Sequence, residues 1–144
     1  MGKIIVLTVM LLAVSSTILA ADGKPVTSHD GSCQVTVPAT WSVNTMFGIA
    51  DSADKKANVA VSSPLHTTSF DSLKQTAQML YTNDKVTKNS SSEFEMEGLS
   101  MNNKPNVYRS MPIGPGKFCV VEVIYESGTV DDARKIAESV KSAK

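Results

Sequence analysis

The chain has 144 residues and balances 14 basic against 14 acidic side chains, for a formal net charge of zero. With no basic stripe along it, the electrostatic footprint of a nucleic-acid binder is missing. Less a short leader, the length is that of one domain and can bury a real core.

Residues 1–20 read as a cleavable signal peptide. Lys3 supplies a positive start, Ile4 to Val14 is almost continuously apolar, and Leu19-Ala20-Ala21 offers small residues for cleavage. The apolar run is about 11 residues where a membrane span needs about 20. No later run is long enough to span, and positions 21 and 22, Ala and Asp, are not a lipid-anchor cysteine. The expected location is therefore outside the cytoplasm, periplasmic or secreted.

Residues 21–32 are polar, with Gly23, Pro25 and Gly31, and read as a flexible leader to a single domain over 33–144. Cys33 to Val37 alternates apolar and polar, the period of a half-buried strand. Pro38 stops it, and Trp41, the only tryptophan, is expected to plug one end of the core. Met46–Ala50 and Ala57–Ser62 read as a hairpin around the polar turn at 51–56. Phe70, Leu73, Ala77, Leu80 and Tyr81 recur at helical spacing behind Ser69 as N-cap, with Asp71 in the first turn.

The polar stretch 83–92 reads as a loop. Beyond it, Glu93, Glu95 and Glu97 alternate with Phe94 and Met96, which predicts a strand with one solvated acidic face. Further strands are expected over 106–111 and 117–126. The second is apolar on both phases apart from Glu122, as a central strand covered on both sides would be. Thr129-Val130-Asp131-Asp132 opens a final helix whose apolar stripe is Val130, Ala133, Ile136, Ala137 and Val140. The fold class is thus α+β: an antiparallel sheet of about six strands, with one helix after the third strand and one at the C-terminus.

Cys33 and Cys119 share strand phases with the apolar residues around them. An even cysteine pair in an exported chain reads as a disulfide; the alternative, two reactive or metal-binding thiols, lacks a CxxC spacing or an adjacent histidine.

Val37-Pro38-x-x-Trp41, Ser69-Phe70-Asp71-Ser72-Leu73 at the first helix and Ala137-Glu138-Ser139-Val140 at the end, in this order of elements, resemble the PsbP-like superfamily, which includes exported DcrB-like proteins. The turn Asn103-Lys104-Pro105 departs from its pattern by lacking a glycine. The resemblance covers 33–142 and implies an α/β/α sandwich acting in binding or assembly, with no catalytic residue to carry over.

Candidate chemistry is sparse. Histidines are limited to His29 and His66, and no Gly-x-Ser-x-Gly occurs, so a small hydrolase would have to build on His66 and a nearby carboxylate. Asp51 and Asp54 read as a plain turn, and Gly114-Pro115-Gly116 lacks the Lys-Ser/Thr of a phosphate loop. Met46, Met79, Met96, Met101 and Met111 could in principle hold a soft metal, though M-x-M and M-x-x-M spacings are missing. Core filling or an adaptable contact surface is the better reading. The leading expectation is a non-enzymatic exported binding or assembly protein, without cofactor or metal, meeting a protein partner in the cell envelope through Phe94, Met96, Met101, Tyr108 and Met111.

Overall fold

The computed structural model describes residues 23–65, 69–126 and 128–144. The fold is α+β. Ten strands and two helices run in the order β1 (Lys24–Thr27), β2 (Cys33–Val37), β3 (Ser42–Asn44), β4 (Ile49–Asp51), β5 (Ala57–Ser62), α1 (Phe70–Leu80), β6 (Thr82–Asn89), β7 (Phe94–Leu99), β8 (Pro105–Gly114), β9 (Lys117–Tyr125), α2 (Val130–Glu138) and β10 (Lys141–Ser142). Seven strands form one antiparallel sheet in the order β3-β4-β5-β9-β8-β7-β6, and β1-β2-β10 form a separate three-stranded sheet. No helix of the described residues is long and apolar enough to cross a membrane.

Side-chain alternation in β9 separates the two faces of the large sheet. Val121 and Val123 join Val59, Val61 and Val107 in a core closed by Val35 and Val37 of β2, by Ala133 and Ile136 of α2, and by Val140 just after it. Val120 points the other way, toward Phe94, Met96, Tyr108 and Ala77 of α1. The large sheet therefore lies between α1 and a second layer made of α2 and the small sheet. That both phases of β9 are apolar is the consequence of this double covering.

Both helices start where their caps predict. Ser69 Oγ accepts from Ser72 N at 3.1 Å, and Thr129 Oγ1 accepts from Asp132 N at 3.2 Å. The Cys33–Cys119 disulfide links β2 to β9, and both residues are fully buried.

The leader is not flexible from Lys24 onward: Lys24–Thr27 pair antiparallel with Gln34–Val37. Val26, its one large apolar residue, is fully buried, and Pro25 is tolerated because β1 is an edge strand. The turn after it is held by Asp30, which accepts from Ser28 Oγ at 2.6 Å and Ser32 N at 3.1 Å. These hydrogen bonds, Ser28 first, hold the Asp30 carboxyl down to about 2.

Of the expected strand at Met46–Ala50, only Ile49 and Ala50 are in a strand. β3 ends at Asn44 and β4 begins at Ile49, with a turn between. Gly48 makes that turn possible: its φ is +64°, and a Cβ there would sit 2.6 Å from the Val61 carbonyl oxygen. Most of the polar stretch expected as a loop after α1 forms β6, an edge strand pairing with β7 through two register shifts. Its lysines and bulges are the features by which edges avoid pairing with other chains, and they erase the apolar alternation of an inner strand.

The α1 layer is aromatic. Phe70 stacks on Phe118 at 5.8 Å between centroids, and Tyr108 meets Tyr81 at 5.5 Å and Phe94 at 6.3 Å. Burial raises Tyr81, with the Glu122 carboxylate beside it adding to the effect, and pushes Tyr108 up to about 12. Burial also raises Tyr125 on the other face, again with a carboxylate near it, Glu97. All three tyrosines of the chain thus hold their protons more tightly folded than unfolded. Their contribution to stability is complete below the ordinary value of 10.0 and is lost as pH rises through the folded values. Spectrophotometric titration is expected to show the phenols of the folded protein ionising above the ordinary value of 10.0, with the absorbance rising alongside unfolding. A tyrosine that ionised normally in the folded state would contradict this packing.

Candidate functional site

A cleft of about 390 Å³ opens between α2 and the start of the domain, lined by Pro38, Trp41, Ala57, Val123, Tyr125 and Ile136 among others. Four separate stretches build it. Pro38 ends β2, and the Trp41 amide donates back to the Pro38 carbonyl at 3.0 Å, so the chain reverses and drives the indole inward until the residue is 8 % exposed. The β4–β5 turn adds Ser52 and Asp54, with Ser52 Oγ donating to Asp54 Oδ1 at 2.6 Å. β9 supplies Val123 and Tyr125 from the face of the large sheet that packs on α2. The first turns of α2 supply Thr129, Asp132, Ala133 and Ile136.

The walls are apolar and aromatic, and the polar groups sit at the cap of α2 and in the β4–β5 turn. Thr129 Oγ1 donates to Asp132 Oδ2 at 3.0 Å, which holds that carboxylate at the helix start. The volume and the mix of apolar walls with a few polar groups are those of a site for a small molecule or one inserted side chain. A second cleft, about 460 Å³, is bordered by Asp30, Lys117 and Lys144. There the Lys144 ammonium already donates to the Asp30 carbonyl at 3.2 Å, and the opposed charges offset one another.

Beside the first cleft, on the same face of the sheet, lies an ionic network. Arg109 Nη1 donates to Glu95 Oε2 at 2.8 Å, and Arg109 Nη2 pairs with Glu93. Arg134 of α2 pairs with Glu97 and, at 2.7 Å, with Asp131. Lys88 joins Glu138 at 2.8 Å and approaches Glu95 at 4.0 Å, while Thr87 Oγ1 donates to Glu95 at 2.9 Å. Lys88 holds the Glu138 carboxyl below its ordinary range. The acidic ladder expected to face solvent is therefore not solvated: Glu95 is fully buried, and Glu97 is largely covered. The reason is tertiary, because α2 lays Arg134 over β7 and β8 sets Arg109 directly opposite Glu95.

The strand surface expected to meet a partner is not a surface. Phe94, Met96 and Tyr108 are 1 %, 1 % and 3 % exposed beneath α1. Met111 packs against the core on the opposite face, and only Met101 is open, at 73 %. The methionines are dispersed: Met96 and Met111 face opposite sides of the sheet, Met46 lies in the β3–β4 turn at the far edge, and neither cleft is lined by one. Among the described residues no three His, Cys, Asp or Glu side chains are grouped to hold a metal ion. His66 lies outside the described residues. His29 is at the surface, its Nδ1 2.9 Å from the Met46 carbonyl oxygen. Pro38, Trp41 and the helix start at Thr129–Asp132 were legible in the sequence as local features; nothing there joined them into one cleft.

The fold and the cleft together define the class: an α+β domain with a small apolar pocket beside a buried ionic layer. No family model matches the chain. No curated protein sequence matches it either. Among solved structures it is similar to the solution structure of cyanobacterial PsbP (CyanoP) from Synechocystis sp. PCC 6803, with a TM-score of 0.48 and 12 % identity over 91 % of this chain and 98 % of that one.

Proposed function

We propose that this chain is an exported, non-enzymatic binding or assembly protein that engages its partner through the Trp41 cleft. The observation that carries the reading is the cleft itself, an apolar-walled cavity of about 390 Å³ with the single tryptophan in its wall. The leader at 1–20 and the disulfide fit an oxidising space outside the cytoplasm, the periplasm or the exterior.

Site-specific photocrosslinking tests it. A photoreactive residue at Lys56, in the turn bordering the cleft, is expected to capture a defined partner from envelope extract. The same residue at Met79, 85 % exposed on α1 across the sheet, is expected to capture none. Capture from Met79 alone, or from neither position, would overturn the assignment of the site.

A further inference from the structure

We infer that the end of the domain opposite the Trp41 cleft rests on a lipid bilayer, with Met46, Phe47 and Leu65 entering the bilayer surface. Strand direction fixes the two ends. β5 runs from Ala57, which lines the cleft, to Ser62, and β9 runs from Lys117 to Tyr125, which lines it too. Ser62 pairs with Val120, so the turns after β5 and before β9 share the far end. The β3–β4 turn is there as well, because Val61 N donates to the Gly48 carbonyl at 2.8 Å.

Met46 and Phe47 are 66 % and 64 % exposed, and Leu65 is 83 % exposed. The β1–β2 turn joins them into one surface. His29 Nδ1 is hydrogen-bonded to the Met46 carbonyl at 2.9 Å, and its neighbour Asp30 borders the second cleft together with Leu65. The Met46–Phe47 pair is held out by its own turn. Met46 N donates to Asn44 Oδ1 at 3.2 Å on one flank, and on the other Gly48 is packed against the backbone of Val61 and Thr27.

Charge and shape favour a bilayer here over a protein partner. Residues 45–48, 63–65 and 112–116, the turns at this end, include no charged side chain, whereas the 51–56 turn at the cleft end holds Asp51, Asp54, Lys55 and Lys56. A charge is costly in lipid, while the rim of a protein interface carries charges readily. Charge at this end sits elsewhere: Asp30, Lys117 and Lys144 border the second cleft, and Asp71 at the start of α1 pairs with Lys74 at 3.7 Å. As to shape, the apolar side chains stand on separate turns and line no groove. A stable protein interface needs about 800 Å² of matched surface from each partner. Acyl chains mould themselves to isolated apolar side chains, and a phenyl ring beside aliphatic groups suits the boundary between headgroups and hydrocarbon. With this end on the bilayer, the length of β9 holds the Trp41 cleft about 30 Å above it, open to water.

Flotation of the exported protein, free of its leader, with neutral phosphatidylcholine vesicles tests the assignment. The protein is expected to float with them, and Met46→Ser with Phe47→Ser to weaken the partition by about tenfold or more. Met79→Ser with Met101→Ser, which alters side chains 85 % and 73 % exposed toward the other end, is expected to leave it unchanged. Unaltered thermal midpoints confirm that both double variants fold. Orientation has its own readout. Bromine-bearing lipid is expected to quench the emission added by Phe47→Trp and to leave Trp41 unquenched. Absence of flotation, an equal loss in both double variants, or quenching of Trp41 would overturn the assignment. So would flotation that requires anionic phosphatidylglycerol and survives Met46→Ser with Phe47→Ser. If vesicles take up nothing and a photoreactive residue at Phe47 captures a protein, this end is a protein interface and the lipid assignment fails. None of these outcomes bears on the cleft, which photocrosslinking at Lys56 tests separately.

Discussion

Replacing Arg109 by leucine is expected to lower the unfolding free energy by about 3–5 kcal/mol. The cost comes less from the lost attraction than from what remains. Glu95 is fully buried, and Arg109 Nη1 is its close cationic partner at 2.8 Å; Arg134 and Lys88 stand 3.9 and 4.0 Å away. A carboxylate left there must stay charged in a poor solvent or take up a proton, and either is expensive. Replacing both partners, Arg109→Leu with Glu95→Leu, is expected to recover most of the loss, because the desolvation of two charges disappears with them. Arg109→Lys is expected to fall between, since an ammonium cannot span Glu93 and Glu95 as the guanidinium does. Denaturant midpoints compare the three directly. A single Arg109→Leu variant within about 1 kcal/mol of the parent would mean that Arg134 and Lys88 suffice to carry Glu95.

Removing the disulfide by Cys33→Ala with Cys119→Ala is expected to cost roughly 4–5 kcal/mol, the loop-closure value for a bridge across 86 residues of sequence. The bond ties the small sheet to the centre of the large one, so the unfolded chain it restrains is most of the domain. Because both sulfurs are buried, reductant is expected to act on the native protein only as fast as it opens. Mass analysis after timed reduction checks the rate, and unfolding with and without reductant checks the magnitude. A loss below about 1 kcal/mol would show that β2 is held by its sheet pairing and by packing of Val35 and Val37.

The elements legible in advance are those whose signal is local. The two helices were readable from spacing and from the caps Ser69 and Thr129, since a cap is a bond between neighbours in sequence. β9 was readable because both its faces are covered, and the bridge because Cys33 and Cys119 share the phase of buried valines. β1 and β6 were not, because an edge strand needs a partner on one side only and can be polar throughout. Val26 in the first and Val86 in the second were too little alternation to register.

The acidic ladder shows the limit most directly. Alternation in Glu93–Glu97 identifies a strand and assigns its carboxylates to one face, but says nothing of what lies over that face. Arg109 and Arg134 do, from 14 and 37 residues further along the chain. The cleft is of the same kind. Pro38 and Trp41 announce a turn, whereas the pocket exists only once residues near 54, 125 and 132 arrive beside it. By itself the sequence determined the two helices, the inner strands, the disulfide phase and the fold class, because these depend on neighbours and periodicity. The tertiary structure alone decided which charges are buried and where a cavity lies. Burial and shape belong to surfaces that meet only after folding.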